Sequence, residues 1–155
     1  MPRHLLKMEN AKIFGTNFRG LEKDNNPEGK RNFCLYIPED MVEQLKADGW
    51  NVKRRKTEAE EPYIPVEVRY ADYPPKIYKV TSKNKTLLDE ETVGDLDKDE
   101  IINVDAWITP YHWSVGGKSG IKAYVDKMWV TIEEDDLEKK YAHYDDPEEP
   151  LPFDE

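Results

Sequence analysis

The chain has 155 residues, enough for one ordinary domain and a tail but not for two full domains. Charged residues (36%) nearly equal hydrophobic ones (37%), the net charge is −10, and mean hydropathy is −0.90. No apolar run approaches the roughly 20 residues that span a bilayer, and MPRHLLKMEN lacks the apolar stretch of a secretory signal, so a cytoplasmic protein with no membrane partner is expected.

In chain order, AKIFGTNF (11–18) reads as an opening strand, and LEKDNNPEG (21–29) is a loop rich in turn residues. RNFCLYI (31–37) alternates, with Phe33, Leu35 and Ile37 on one side and Asn32, Cys34 and Tyr36 on the other. A short helix follows. Pro38 opens it, Glu39 and Asp40 suit its first turn, Met41, Val42 and Leu45 form its apolar stripe, and Gly49 stops it. WNVKRR (50–55) reads as a strand running into a charged loop. YIPVEVRY (63–70) alternates again, and Pro65 marks it as an edge or bulged strand. KIYKVTS (76–82) is a strand after the Pro74–Pro75 turn, and LLDEETVGDLDKDE (87–100) is a helical turn and loop.

The clearest unit is a hairpin. DAWITPYHW (105–113) and SGIKAYVDKMWVTI (119–132) flank Gly116–Gly117, a strong two-residue turn signal. That turn sets Val115 against Lys118, Trp113 against Gly120, Tyr111 against Lys122 and Thr109 against Tyr124. Alternation then puts Ala106, Ile108, Ile121, Ala123 and Val125 on a core face, and Trp107, Tyr111, Trp113, Lys122 and Tyr124 on the other. A bulge is expected near Asp126–Lys127, where the apolar phase changes, and Pro110 is a second place for one. Such curvature suits a small closed or half-closed barrel, so the expected class is mostly β (α+β) with one short helix. Residues 1–132 form the domain. Residues 133–155 form an acidic tail: a short helical stretch (135–144), then a disordered tip (145–155).

The charge is uneven. Residues 133–155 hold 11 acids and 2 bases, whereas residues 1–85 hold 17 bases and 13 acids. An acidic total therefore leaves room for a polyanionic ligand on the body, with which the tail would compete. Cys34 is the single cysteine, and His4, His112 and His143 are scattered, so neither a disulfide framework nor a zinc site is expected. GGKS (116–119) lacks the earlier glycine of a phosphate loop, with His112 in that place, and it sits on a hairpin. Asp95–Leu96–Asp97–Lys98–Asp99 begins like a calcium loop, but its sixth and twelfth positions are Glu100 and Ala106. No cofactor or metal is expected.

The hairpin face carries the chemistry. Exposed rings beside lysines stack bases of any sequence, each stack being worth roughly 1–3 kcal/mol. The expected contacts are Trp107, Tyr111, Trp113 and Tyr124, with Lys118, Lys122 and the run Lys53, Arg54, Arg55, Lys56 neutralising phosphates. In the tail, Asp145, Asp146, Glu148 and Glu149 surround an extended strip in which Leu151, Pro152 and Phe153 can anchor in a partner's pocket. Two other classes compete: a metal-dependent nuclease using Asp89, Glu90, Asp95, Asp97 or Asp99, and an acidic protein-binding or DNA-mimic module.

Three segments, 31–56, 74–91 and 104–135 with the following EKKYA (138–142), resemble the phage-encoded OB-fold single-stranded DNA-binding proteins. The resemblance implies an OB-fold-like small antiparallel barrel in the host cytoplasm. It also implies a non-catalytic role in phage DNA replication and recombination, with single-stranded DNA as ligand and homo-oligomer formation left open. Thr109 stands where relatives are expected to carry arginine. The tail resembles the acidic tip of bacterial single-strand-binding proteins, which recruits replication and recombination proteins, although Asp154–Glu155 here follow Pro152–Phe153.

Overall fold

A computed structural model describes residues 5–23, 26–71 and 74–133. The tail expectations for 135–155 lie outside those residues. Among the described residues there are nine strands: β1 (Leu6–Ala11), β2 (Ile13–Asn17), β3 (Arg31–Tyr36), β4 (Lys53–Arg54), β5 (Pro62–Val68), β6 (Lys76–Val80), β7 (Lys85–Leu88), β8 (Ile101–Val115) and β9 (Lys118–Ile132). One helix, α1 (Val42–Asp48), follows a 3-10 turn at Glu39–Met41, and a second 3-10 turn spans Val93–Asp97.

The opening strand begins earlier than its sequence pattern suggests. β1 pairs with β8 and β2 with β3, and only Lys12 separates them, so residues 6–17 act as one bent strand. The alternation is hidden because the register shifts between Met8 and Ala11, with Asn10 at φ 51° and its N–H donating to Asp105 Oδ1 at 2.8 Å. The bend closes the barrel. Going round, the bent strand meets β3, β3 meets β5, β5 meets β9, β9 meets β8, and β8 returns to β1. That is the expected OB-like small barrel, antiparallel except where β9 runs parallel to β5, at Val66–Ala123 and Glu67–Tyr124, and to β6, from Lys76–Lys127 to Val80–Thr131.

The interior is filled by alternating residues, most of them expected from sequence and Val104 in addition. Phe33, Leu35, Ile64, Val66, Val104, Ala106, Ile108, Met128 and Val130 are buried. Phe33 lies 5.5 Å from Phe18, centroid to centroid. The helix has the predicted stop: Gly49 at φ 102° donates its N–H to the carbonyls of Leu45 and Lys46. Val42 and Leu45 are its buried positions.

The hairpin forms in the expected register, including Trp113 opposite Gly120 and Tyr111 opposite Lys122. Gly116 (φ 57°) and Gly117 (φ 82°) supply the two left-handed residues that such a turn requires. Trp107 pairs with Lys127 and Ile108 with Val125, which leaves Asp126 as the extra residue of the predicted bulge. Pro110 causes no shift. It pairs with Ala123.

Three sequence expectations are corrected. WNVKRR yields only the two-residue β4, paired with β5 at Lys53 and Arg54, and an isolated bridge from Trp50 to Ile121 of β9. Lys85–Leu88, which overlaps the segment read as a helical turn, forms β7 against β6, and only Leu88 of its four residues is buried. β5 is central rather than an edge, since β3 pairs with residues 63–68 on one flank while β4 and β9 pair on the other. Pro65 is tolerated because the other flank of β5 is paired by β4 only at residues 62–63 and by β9 only at residues 66–67.

Candidate nucleic-acid interface

The gap beside Pro65 opens into a groove of about 1030 Å³. Pro65, Val66 and Cys34 lie at its base, Trp50 and Lys53 on the α1–β4 side, and Trp113 with Gly120–Ala123 on the hairpin side. Lys23 and Lys30 reach it from the loop between β2 and β3. The hairpin is tied to the α1 side at one point, where Ile121 N–H donates to the Gly49 carbonyl at 3.1 Å.

Asparagines shape the lysine-bearing loop. Buried Asn17 accepts from Leu21 N–H (2.9 Å) and donates Nδ2 to the Leu21 carbonyl (3.0 Å). Asn26 donates Nδ2 to the Leu21 and Lys30 carbonyls, and its Oδ1 accepts from Asn32 Nδ2 at 2.6 Å.

Trp113 is well placed for stacking. One part of its indole covers Gly120, where a Cβ would lie 3.1–3.2 Å from Cζ2, Cε2 and Nε1. The residue is still 38% exposed. Across the groove, the outward side chains of β2, β3 and β5 form an aromatic cluster. Phe14 lies 4.6 Å from Tyr36 and meets Tyr63 edge-on at 5.0 Å. The Arg55 guanidinium sits 4.2 Å above the Phe14 ring and donates to the Tyr36 hydroxyl at 2.6 Å.

At the groove's other end, Glu67 holds two cations, Lys122 at 3.5 Å and Lys30 at 3.7 Å. Burial pulls the Lys122 pKa down, but the Glu67 carboxylate and Tyr124 outweigh it, so the ammonium is held above its ordinary value. Burial pushes the Cys34 thiol up, with Lys53 and Arg55 pulling the other way. Anionic phosphates would find Lys30 and Lys122 already oriented, with Glu67 as the group they must displace.

The expected site residues therefore divide. Lys53, Trp113 and Lys122 line the groove. Tyr111 and Tyr124 stand beside it on the ribbon, edge-on at 6.1 Å, with Lys122 over Tyr124. Arg55 belongs to the Phe14–Tyr36 cluster. Arg54 points elsewhere: it bridges to both Glu39 carboxylate oxygens and the Glu60 carbonyl, because Lys53 and Arg54 alternate across a strand. Lys56 and Lys118 are exposed on a loop and at the hairpin turn. Trp107 lies beyond the bulge, packed edge-on against Trp129 at 5.8 Å, and not in the groove. Phe14, Tyr36, Tyr63, Lys23 and Lys30 were missed. The alternation of 31–37 does put Tyr36 opposite the core, and an outward aromatic was the available signal.

Four of the five carboxylates weighed as a nuclease centre, Asp89, Glu90, Asp97 and Asp99, have local partners. Asp97 accepts the N–H groups of Phe18 and Arg19, each at 2.9 Å. Asp89 caps its own turn, and hydrogen bonds from Thr92 hold its carboxyl below the ordinary range. Asp99 pairs with Lys79 at 2.7 Å, and Glu90 with Arg31 at 3.6 Å. Among the described residues, no group of three or more His, Cys, Asp or Glu side chains is placed to hold a metal ion. Nor, among them, is any helix long and apolar enough to cross a membrane.

Solved structures of a phage protein share the fold. The single-stranded DNA-binding protein from bacteriophage Enc34 superposes with a TM-score of 0.53 at 11% identity, covering 83% of this chain and 81% of that one. A C-terminal truncation of the same phage protein gives 0.55 at 11% identity, covering 83% and 86%. No curated protein matches the sequence. The family model described as "Putative phage ssDNA-binding domain" matches residues 1–151. With nearly the whole chain inside that match, the protein belongs to the phage single-stranded DNA-binding domain family.

Proposed function

We propose that the protein is a non-catalytic, sequence-nonspecific single-stranded DNA-binding protein acting in phage DNA replication and recombination. The observation that carries this reading is the groove, which sets Trp113 on one side, the Phe14–Tyr36–Tyr63 cluster nearby and four lysines (Lys23, Lys30, Lys53, Lys122) around its lining. Rings supply sequence-tolerant stacking, and ammoniums track the phosphates. An OB barrel commonly binds oligonucleotides on its second and third strands and adjoining loops, the region occupied here by β3, β5, the β2–β3 loop and the β8–β9 hairpin. The family membership and the Enc34 proteins of the same fold support the reading.

Cys34 gives a direct test, since it is the single cysteine and lies at the groove's base. Its raised pKa means little thiolate near neutrality, so alkylation by iodoacetamide is best followed above about pH 8.5. Saturating oligo(dT) should slow the reaction strongly. Equal rates with and without DNA would remove the groove from the DNA path.

The tail has two proposed roles, recruitment of replication or recombination proteins through Leu151, Pro152 and Phe153, and competition with DNA for the basic groove through its acids. Deleting residues 145–155 should raise DNA affinity at low salt and change it little at high salt, where charge is screened. Unchanged or lower affinity at low salt rejects the competition.

A further inference from the structure

The β8–β9 ribbon carries rings well beyond the groove. On the outward side of β1, β8, β9, β6 and β7, one cross-strand row reads Lys7, Trp107, Lys127, Lys76. The next reads Asp105, Trp129, Tyr78, Leu87. Their strand neighbours Ala106, Ile77, Met128 and Leu88 are buried, so these two rows form the barrel's outer surface. Trp129 stacks on Tyr78 at 6.1 Å with 15° between planes. Lys7 lies 4.8 Å from the centre of Trp107, Lys127 5.1 Å from Trp129, and Lys85 4.8 Å from Tyr78.

Four lysines, Lys7, Lys76, Lys85 and Lys127, gather on this surface. Lys30, Lys79, Lys122, Arg31 and Arg54 all have carboxylate partners. Among the described residues Lys7, Lys76, Lys85 and Lys127 have none, and three of them lie over rings instead. The acid in these rows, Asp105, accepts the Asn10 N–H. Leu87 remains 57% exposed among them. The surface is also continuous with the groove. From Gly120, beneath Trp113, to Trp129 is nine residues of β9, about 30 Å at ~3.3 Å per residue. Tyr111 and Tyr124 stand on the ribbon between.

We propose that this face is a second stretch of the single-strand track. DNA leaving the groove past Trp113 continues along the outside of the ribbon, with bases on Trp107, Trp129 and Tyr78 and phosphates on Lys7, Lys76, Lys85 and Lys127. Unpaired ammoniums beside flat rings are what a single strand requires, and the groove already delivers the strand to the ribbon's end. The proposal rests on the groove reading above.

The test compares two oligo(dT) lengths with DNA in excess, so that each strand carries one protein. One oligonucleotide has about 8 nucleotides, within the roughly 4–16 that a single OB barrel occupies, and the other about 24. The variants are Trp107→Ala/Trp129→Ala and, since both indoles are half-buried, Lys7→Glu/Lys85→Glu/Lys127→Glu, which keeps every ring. The charge variant should lose about tenfold or more in affinity for the longer strand and change little for the shorter, with a shallower salt slope on the longer strand alone. The ring variant, if folded by circular dichroism, should show the same split. Unchanged binding of the longer strand by the charge variant, or equal losses at both lengths, overturns the extension while the groove reading stands. Wild-type protein that binds neither strand overturns both.

Discussion

Trp113→Ala should weaken oligo(dT) binding by about 5- to 150-fold, the loss of one base stack worth roughly 1–3 kcal/mol. Tyr63→Ala, on the β5 side of the same groove, should cost a similar factor, and the double variant more than either alone. The fold should survive at Trp113, because the residue sits on an exposed hairpin and its neighbour Gly120 needs no side chain to fill the space it leaves. Fluorescence anisotropy with labelled oligo(dT), alongside a thermal melt of each variant, checks the expectation. Wild-type affinity in both single variants would mean that the strand does not run between the hairpin and β5.

Asp97→Ala should produce the largest loss of stability among changes at the surface carboxylates, about 2–4 kcal/mol. Its two oxygens accept the backbone N–H groups of Phe18 and Arg19, and Phe18 is fully buried against Phe33. Charged hydrogen bonds contribute roughly 1.5–3 kcal/mol each, less where solvent can replace the acceptor, as at Arg19. At about 2–4 °C per kcal/mol for a chain of this size, the melting temperature should fall by roughly 4–16 °C. Below the transition the variant should bind oligo(dT) like wild type, since Asp97 lies away from the groove lining. A variant of undiminished stability would deny the carboxylate its capping role. The same residue was a candidate metal ligand from sequence, which shows why clustered acids alone are poor guides: 95–99 places three carboxylates close together in the chain, but Asp97 turns to β2's end and Asp99 to Lys79.

The hairpin was legible because several signals agreed. Gly–Gly fixed the turn, the turn fixed the register, and period-two alternation fixed the faces, so Trp113 and Lys122 could be placed from sequence. The bulge at Asp126 was visible as a change of apolar phase. Its neighbour Trp107 lies six residues along β8 from Trp113, beyond the bulge, and packs against Trp129 outside the groove. The first strand was misjudged for a related reason. Met8 and Ala11, both buried, are three apart across a bulge, a spacing that breaks strand periodicity. The aromatic cluster that reaches the groove through Tyr63 depends on contacts between residues far apart in sequence. Phe14, Tyr36 and Tyr63 meet only once β2, β3 and β5 are side by side, and no local pattern joins them. Arg54 shows the converse: adjacent basic residues in a strand face opposite ways, so a run of four cations gives no single basic patch.

On this reading the groove beside Trp113 binds single strands through rings and phosphates together. Tryptophan fluorescence during titration with oligo(dT), at low and at moderate salt, tests both halves at once. Trp113 is the groove's exposed indole, so its emission should be quenched on binding, and log K should fall with log[salt] with a slope of about −2.8, near 0.7 for each of the groove's four lysines. Unchanged emission at saturation, or affinity indifferent to salt, would contradict it.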